Sequence, residues 1–265
     1  MTPARALRIA AMVGALLGAS RGTAGADGPE GVSLFPRTSQ ARAGAEVETA
    51  SFRLDGRRGA YASAIGRVEW VPLPLVELRA RVPVHTLALE GEETTRDGLG
   101  DSELRLRFHV VAREPLQISA GWLTQLPTGS NRQGLGGGAL QVTPFVNAGF
   151  RASQTVFYLT LADAVTVAAP HHTRYADYVD PSSDHELRAT LGAIFSFSDR
   201  VAASLILTSA TELAESRRGR SVLAAAAQLG TQPDRRLRLV LTPQVPVKGE
   251  HRFEWKLNAT ASYAF

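Results

Sequence analysis

The 265-residue sequence contains no cysteine, only two methionines and few aromatic residues. Without cysteine, the chain can form neither a disulfide framework nor a thiolate-ligated metal site. It also lacks the several apolar runs of about 20 residues that a helical membrane protein needs, and one shorter run lies near the N-terminus. The length is ordinary for a protein with a single domain.

The N-terminal residues 1–26 have the pattern of a cleavable signal peptide. Arg5 and Arg8 precede a short apolar stretch, residues 9–19, and Ala24-Gly25-Ala26 matches a small-residue cleavage site. A membrane anchor is the alternative, but this stretch is shorter than the ~17 residues that a helix needs to span a bilayer. We therefore expect export and a mature chain that begins near Asp27.

The positive charge of the chain is partly a property of this leader. The whole sequence has a formal charge of +4, and Arg5, Arg8 and Arg21 supply +3 of it. The remaining +1 gives no compositional reason to expect nucleic-acid binding.

From residue 43 onward, apolar and polar residues alternate in stretches of about ten, which is the period of β-strands. The clearest stretch is 252–265, where Trp255 and Leu257 share one face and Lys256 and Asn258 share the other. Strands of soluble sandwiches are usually about five or six residues long, whereas a tilted membrane-spanning strand needs ~9 to 11. The pattern therefore predicts strands that turn their apolar faces toward lipid.

Twelve such strands are predicted, and an even number is typical of bacterial outer-membrane barrels. They are 44–54, 60–71, 76–84, 103–110, 115–126, 138–151, 154–168, 185–197, 200–211, 221–231, 235–247 and 252–265. Short links alternate with longer ones, as an up-and-down barrel requires. The prediction is an all-β fold: a short periplasmic segment, 27–42, followed by an antiparallel up-and-down transmembrane β-barrel over 43–265.

A secreted or periplasmic β-sandwich is the alternative fold, since its strands also alternate. A sandwich hides its apolar face and needs no terminal aromatic residue, whereas Phe265 ends this chain in the manner of the C-terminal signal of outer-membrane barrels. We therefore expect the cell outer membrane, with lipid, lipopolysaccharide and the barrel-insertion machinery as partners. Further aromatic residues at strand ends are candidates for interfacial girdles: Trp70, Trp122, Phe150 and Phe197.

Charged residues on the polar faces of the strands are expected to line the lumen, where they pair across strands or border a wet passage. The candidates are Glu77, Arg79, Arg81, Glu103, Arg105, Arg107, His109, Glu186, Arg188, Arg238, Arg252, Glu254 and Lys256. Cross-strand pairing is the preferred interpretation. The excess of arginine over acid predicts an interior that mildly favours anions, provided that a path exists.

Three glycine-containing motifs stand in the middle of the chain: Gly98-Leu99-Gly100-Asp101, Leu126-Pro127-Thr128-Gly129 and Leu135-Gly136-Gly137-Gly138. Taken individually, the motifs predict structural roles: the glycines permit tight loops, and Asp101 accepts hydrogen bonds from nearby backbone amides. Because no Lys-Ser/Thr follows the glycines, a phosphate-binding loop is excluded.

Together these motifs resemble the outer-membrane family named for the meta-pathway of phenol degradation, most strongly over residues 96–150. The resemblance implies a barrel that passes small molecules, often hydrophobic or aromatic ones. It does not identify the solute.

The leading function is therefore a passive outer-membrane channel for small molecules, without a cofactor. The alternatives are a lipid-modifying or hydrolytic outer-membrane enzyme and a barrel that conducts nothing and has a structural role. An enzyme would draw on His171, His172 or His185 as a base. Metal binding by these histidines has weak support, since no H-E-x-x-H spacing is present.

Overall fold

The computed structural model describes residues 40–54, 56–168, 177–179, 181, 183–213, 219–234, 236–249 and 252–265. The predicted signal peptide, most of the predicted segment 27–42, and His171 and His172 lie outside the described residues. The described part contains thirteen strands and one short 3-10 helix, Asn131–Gln133. The strands are β1 Gln40–Leu54, β2 Arg57–Leu73, β3 Val76–Leu89, β4 Arg96–Leu99, β5 Ser102–Arg113, β6 Leu116–Leu126, β7 Leu140–Ala152, β8 Thr155–Ala168, β9 His185–Ser196, β10 Val201–Glu212, β11 Ser221–Thr231, β12 Leu237–Gly249 and β13 Trp255–Ala264.

The strands form one closed antiparallel barrel, because β1 pairs with both β2 and β13 and each remaining strand pairs with its neighbours. β4 and β5 both pair with β3, one after the other, so they share a single position in the wall. The barrel therefore has twelve strand positions. The predicted all-β, up-and-down architecture is confirmed.

Most strand bounds differ from the sequence prediction by a few residues, and two of the differences change the predicted organisation. β1 begins at Gln40, so the end of the predicted segment 27–42 belongs to the wall. The region 85–100, predicted as a long loop, instead continues β3 to Leu89 and adds β4. Leu87 and Leu89 are buried on the inner face, where they share the side of His85. This apolar content on a mostly polar face concealed the strand.

Adjacent residues of the wall face opposite surfaces, with apolar side chains outside and polar ones inside. Leu191 on β9 lies between Leu159 of β8 and Leu207 of β10 in register, and all three are exposed on the outer surface. The preceding or following residues, Thr160, Thr190 and Thr208, face inward. A closed wall with an apolar exterior and a polar interior suits a barrel surrounded by lipid.

The two ends of the barrel differ in the length of their links. At the end that carries both barrel termini, the strand links are short, as between β3 and β2 or β7 and β8. Longer links, including 127–139 and 169–184, lie at the opposite end, which we call the loop end. Four of the aromatic girdle candidates lie exposed at the short-turn end: Trp70, Phe150, Phe197 and Phe265. The fifth, Trp122, is exposed in the middle of β6.

No helix among the described residues is long and apolar enough to cross a membrane.

Candidate functional site

The interior of the barrel holds a cavity of about 360 Å³ at mid-height. Its lining comes from strands all around the wall and is rich in charge. Among the described residues that border it, six cationic side chains stand against three carboxylates. The cations are Arg67, Arg79, Arg81, Arg105, Arg188 and Lys256, and the carboxylates are Glu46, Glu48 and Glu103.

Arg81 links charged residues of three strands on one side of this cavity. Its guanidinium donates to Glu103 at 2.8 Å and to Glu46 at 2.9 Å. Asn258 of β13 also donates to Glu46, which is largely buried. A carboxylate held by two donors in this way is positioned firmly, so the charged wall has a defined shape.

A second group of ion pairs lies between the cavity and the short-turn end. Arg79 contacts Glu69 at 3.1 Å and Glu77 at 3.2 Å, and Glu77 also binds Arg107 at 3.3 Å. Arg107 is fully buried. Charges taken out of water in this way need close partners, and these strands supply them from neighbouring inward positions. The preferred cross-strand pairing is therefore present here.

Arg105 is held against an aromatic ring of the wall. Its guanidinium carbon lies 4.3 Å from the centre of the Phe145 ring, which is a cation–π distance. Gly121 makes room for this ring, since a Cβ there would come within 2.9 Å of Phe145 Cζ and 2.0 Å of the Leu106 carbonyl oxygen. The sequence predicted the inward position of Arg105 but gave no indication of its aromatic support.

The remaining side of the cavity carries hydroxyl groups. Thr190 is directly opposite both Thr160 and Thr208 in strand register, and the hydroxyls of Thr190 and Thr208 are 3.4 Å apart. Other threonines border the same cavity: Thr143, Thr242 and Thr260. Sequence reasoning concentrated on charges and missed this wall. The available signal was threonine recurring at inward positions of successive strands.

An apolar cluster narrows the lumen at the loop end on the side of β1 to β3. Leu135 from the link after β6 is fully buried against inward residues of these strands. Tyr178 stacks on Phe52 with ring centres 5.6 Å apart, and its amide donates to the Gly134 carbonyl oxygen at 3.2 Å. The described loop residues therefore fold into the barrel mouth.

Asp101, between β4 and β5, holds the link that carries Leu135. Its carboxylate accepts hydrogen bonds from the amides of Gly129 and Gly137, each at 2.8 Å, and from the Gln125 side chain at 3.2 Å. The three glycine motifs thus meet at one carboxylate. Their predicted structural role, with Asp101 bonding nearby amides, is what the structure shows.

An ion-pair network occupies the other side of the mouth. Arg252, in the link before β13, contacts Glu186 of β9 and lies 3.5 Å from Glu212 of β10. Arg188 donates to Glu186 at 2.6 Å, and Glu186 is fully buried. Because β13 is not adjacent to β9 or β10, Arg252 bridges across the lumen rather than along the wall.

The structure places most of the predicted lumen residues on inward strand positions. These are Glu77, Arg79, Arg81, Glu103, Arg105, Arg107, His109, Glu186, Arg188, Arg238 and Lys256. Arg252 precedes β13 but reaches inward to Glu186. The set is divided between the cavity, the mouth and the short-turn end, so only part of it borders one site.

Glu254 departs from the predicted parity. It accepts a hydrogen bond from Ser51 at 3.0 Å and lies 3.9 Å from Arg53, and both residues alternate with the inward Ala50 and Phe52. Its neighbour Phe253, expected to face outward, packs against the apolar cluster of the mouth. The reason is that β13 begins at Trp255, so the alternation of the strand does not extend to these two residues.

Of the three histidines considered for catalysis, His185 is the one among the described residues, and it lies on the outer surface. His185 Nε2 is 2.8 Å from Asp163 Oδ1, and both side chains are about half exposed. The hydroxyl of the nearby Ser183 donates to the His185 carbonyl oxygen and not to its ring. The described part of the chain contains no group of three acidic or histidine side chains suited to a metal ion.

Solved structures with the same architecture are outer-membrane channels and porins. A channel from Pseudomonas putida F1 matches with a TM-score of 0.66 at 12% identity, over 94% of this chain and 100% of the channel. The NanC porin gives 0.54 at 10% identity, over 85% of this chain and 99% of the porin. The KdgM porin gives 0.54 at 8% identity, over 84% of this chain and 99% of the porin.

The chain therefore has the β-barrel fold that these outer-membrane proteins share. At these identities the likeness concerns the fold alone. No protein family matches the sequence. No curated protein matches it either. The resemblance to the phenol meta-pathway family accordingly stays a prediction.

Proposed function

We propose that the protein is a passive outer-membrane channel for small, water-soluble molecules, and that it prefers anions. The observation that carries this proposal is the cavity at mid-height, where cationic side chains outnumber carboxylates by six to three. Fixed cationic groups around a narrow aqueous path favour anions because they lower the electrostatic energy of an anion in the path.

The outer surface supports the membrane part of the proposal. Leucine, valine and aromatic side chains are exposed around the closed wall. In water such an apolar surface would favour aggregation, whereas in a membrane it contacts lipid chains. The loop end would face the exterior and the short-turn end the periplasm, since outer-membrane barrels have long external loops and short periplasmic turns.

The polar lining argues for hydrophilic solutes over the hydrophobic or aromatic ones that the family resemblance implies. Leu123, Phe145 and Ile206 are the large apolar residues among the described lining, and charged or hydroxyl side chains make up most of the rest. One similar structure is the KdgM porin in complex with disordered oligogalacturonate, an acidic carbohydrate. A solute of this general character fits the lining of the present barrel.

The cavity volume and the crowded mouth support a small solute. About 360 Å³ lies near the lower end of the usual range for small-molecule pockets. The apolar cluster around Leu135 and the Arg252 bridge both narrow the loop end. Flux through such a path is expected to be low compared with that of a wide general porin.

Planar bilayer recording of the purified, refolded protein tests the proposal. Stepwise currents are expected, and under a potassium chloride gradient the reversal potential should have the sign of chloride preference. A cation-selective current would contradict the charge argument. Correctly folded and inserted protein without current would instead favour the alternative of a structural barrel.

A further inference from the structure

The two walls of the cavity differ in chemistry and face each other. We propose that the cavity is a binding site for small hydroxylated carboxylates, compounds of the sugar-acid type. The ligand is held between an arginine wall, formed by Arg67, Arg81 and Arg105, and a threonine wall, formed by Thr160, Thr190 and Thr208. This inference rests on the proposed channel function and specifies the class of solute that the channel recognises.

The opposition of the walls follows from the order of the strands. In a closed barrel with twelve wall positions, strands six positions apart lie across the lumen from each other. β3 and β10 have this relation, and so have β2 and β9, because β4 and β5 share one position. Arg81 on β3 therefore faces the side of Thr208 on β10, and Arg67 on β2 faces the side of Thr190 on β9.

The arginine wall provides charge that is already fixed in place. Arg81 is held by Glu46 and Glu103, and the Arg105 guanidinium is held over the Phe145 ring. Guanidinium groups positioned in this way suit the planar carboxylate, which accepts paired hydrogen bonds. Six cations and three carboxylates border the cavity, and the further carboxylates that pair with Arg79 and Arg188, namely Glu69, Glu77 and Glu186, lie outside its lining, so a bound anion meets mainly cationic groups at the cavity surface.

The threonine wall provides groups that match hydroxyls. Each threonine hydroxyl has one hydrogen to donate and two lone pairs to accept with. Thr190 and Thr208 lie at 3.4 Å, a long separation for a hydroxyl pair, so both retain capacity for a ligand hydroxyl between or above them. A carboxylate without hydroxyls leaves this wall unused, and a neutral sugar leaves the arginine wall unused.

The size of the cavity agrees with a ligand of about six or seven carbon atoms rather than with a long oligomer. A volume of about 360 Å³ accommodates a single compact organic acid together with a few water molecules. The site is therefore expected to recognise one hydroxylated acid unit at a time, either free or at the end of a longer molecule.

The test measures how strongly each of three probes with similar carbon skeletons blocks the current through the protein in planar bilayers. D-gluconate has both the carboxylate and the hydroxyls, hexanoate has only the carboxylate, and D-glucose has hydroxyls without a negative charge. Gluconate is expected to interrupt the potassium chloride current with an apparent affinity roughly 10-fold or more above that of either comparison, since two or more added hydrogen bonds separate them.

Isosteric variants then locate the interaction. The double variant Thr190→Val/Thr208→Val should weaken gluconate block by roughly 5- to 20-fold relative to hexanoate block measured in the same variant. Ser209→Val is the matched control, because Ser209 adjoins Thr208 on β10 but occupies an outward position. A difference in gel mobility between unheated and boiled samples, equal to that of the wild type, checks that each variant folds.

The outcomes separate this inference from the channel proposal. Equal block by all three probes, in a conducting wild-type protein, would overturn the inference and leave the channel proposal standing. An effect of Ser209→Val equal to that of the double variant would also overturn it. If the wild type inserts without conducting, the channel proposal fails, and equilibrium dialysis of radiolabelled gluconate with the folded protein decides on binding: no saturable binding overturns the site.

Discussion

The Asp101 carboxylate accepts a hydrogen bond from the Gly129 amide at 2.8 Å, and this contact ties the link after β6 to the junction of β4 and β5. The other carboxylate oxygen accepts from Gly137 at the far end of the same link. Close approach is possible because Gly129 and Gly136 have no side chain, since a Cβ at either would lie 2.7 Å from Asp101 Oδ1. One residue thus sets the position of the loop that narrows the mouth.

Asp101→Ala should release this link and enlarge the path. The variant loses the charge-assisted bonds to Gly129 and Gly137, and we expect about 3 kcal/mol less stability together with a higher single-channel conductance. Urea titration and bilayer recording measure the two effects. Asp97→Ala is the control, because Asp97 is exposed on β4. Unchanged conductance in a destabilised Asp101 variant would show that Asp101 does not hold the constriction.

The barrel itself could be predicted from the sequence, because an alternating pattern fixes both strand type and the side that each residue faces. The pattern located all twelve wall positions and the inward side of residues such as Arg81 and Arg107. It failed at Glu254, which precedes the first residue of β13, and over 85–89, where leucines occupy the inner face near the mouth. Such cases depend on contacts between distant parts of the chain.

The candidate site was predicted less completely. Charged residues are conspicuous in a strand pattern, and their inward placement followed directly. The pairing of Arg105 with Phe145, the bridge from Arg252 to Glu186 and the opposition of arginine and threonine walls require strand order and register. These quantities are not encoded in any single stretch of alternating residues.

Gly121→Ala should destabilise the barrel and disturb the arginine wall. The added Cβ would approach the Leu106 carbonyl oxygen and the Phe145 ring, and overpacking of this kind costs about 1–3 kcal/mol. The comparison is Gly66→Ala on β2, whose Cβ would meet only the Val82 carbonyl oxygen at 3.9 Å. Unfolding midpoints in urea measure both. Equal midpoints for the two variants would contradict the close packing at Gly121.

Opposite single-charge changes in the cavity should move ion selectivity in opposite directions. Arg105→Gln removes a cation and is expected to shift the reversal potential toward potassium, whereas Glu48→Gln removes a carboxylate and should shift it toward chloride. Both shifts should shrink as salt rises from 0.1 to 1 M, roughly the range over which the screening length falls from ~10 to ~3 Å. Shifts of the same sign would contradict the proposed location of the ion path.

Leu191→Arg and Thr190→Arg place the same charged side chain on opposite surfaces of β9, since the two residues are neighbours in sequence. Leu191 is 55% exposed on the outer surface, in register with Leu159 and Leu207, so arginine there would lie among lipid chains. Near the middle of a bilayer this costs about 2–4 kcal/mol.

Arginine at position 190 enters the aqueous cavity, which has the carboxylates of Glu46, Glu48 and Glu103 in its lining, so its cost should be much smaller. Reversible unfolding from lipid vesicles in guanidinium measures the difference between the two variants. A matching loss of stability in both, or a larger loss for Thr190→Arg, would contradict the assignment of the outer face to lipid. Because the two variants share one strand and one introduced side chain, the gain of charge is common to both, and the difference in stability reports mainly the environment on each side of the wall.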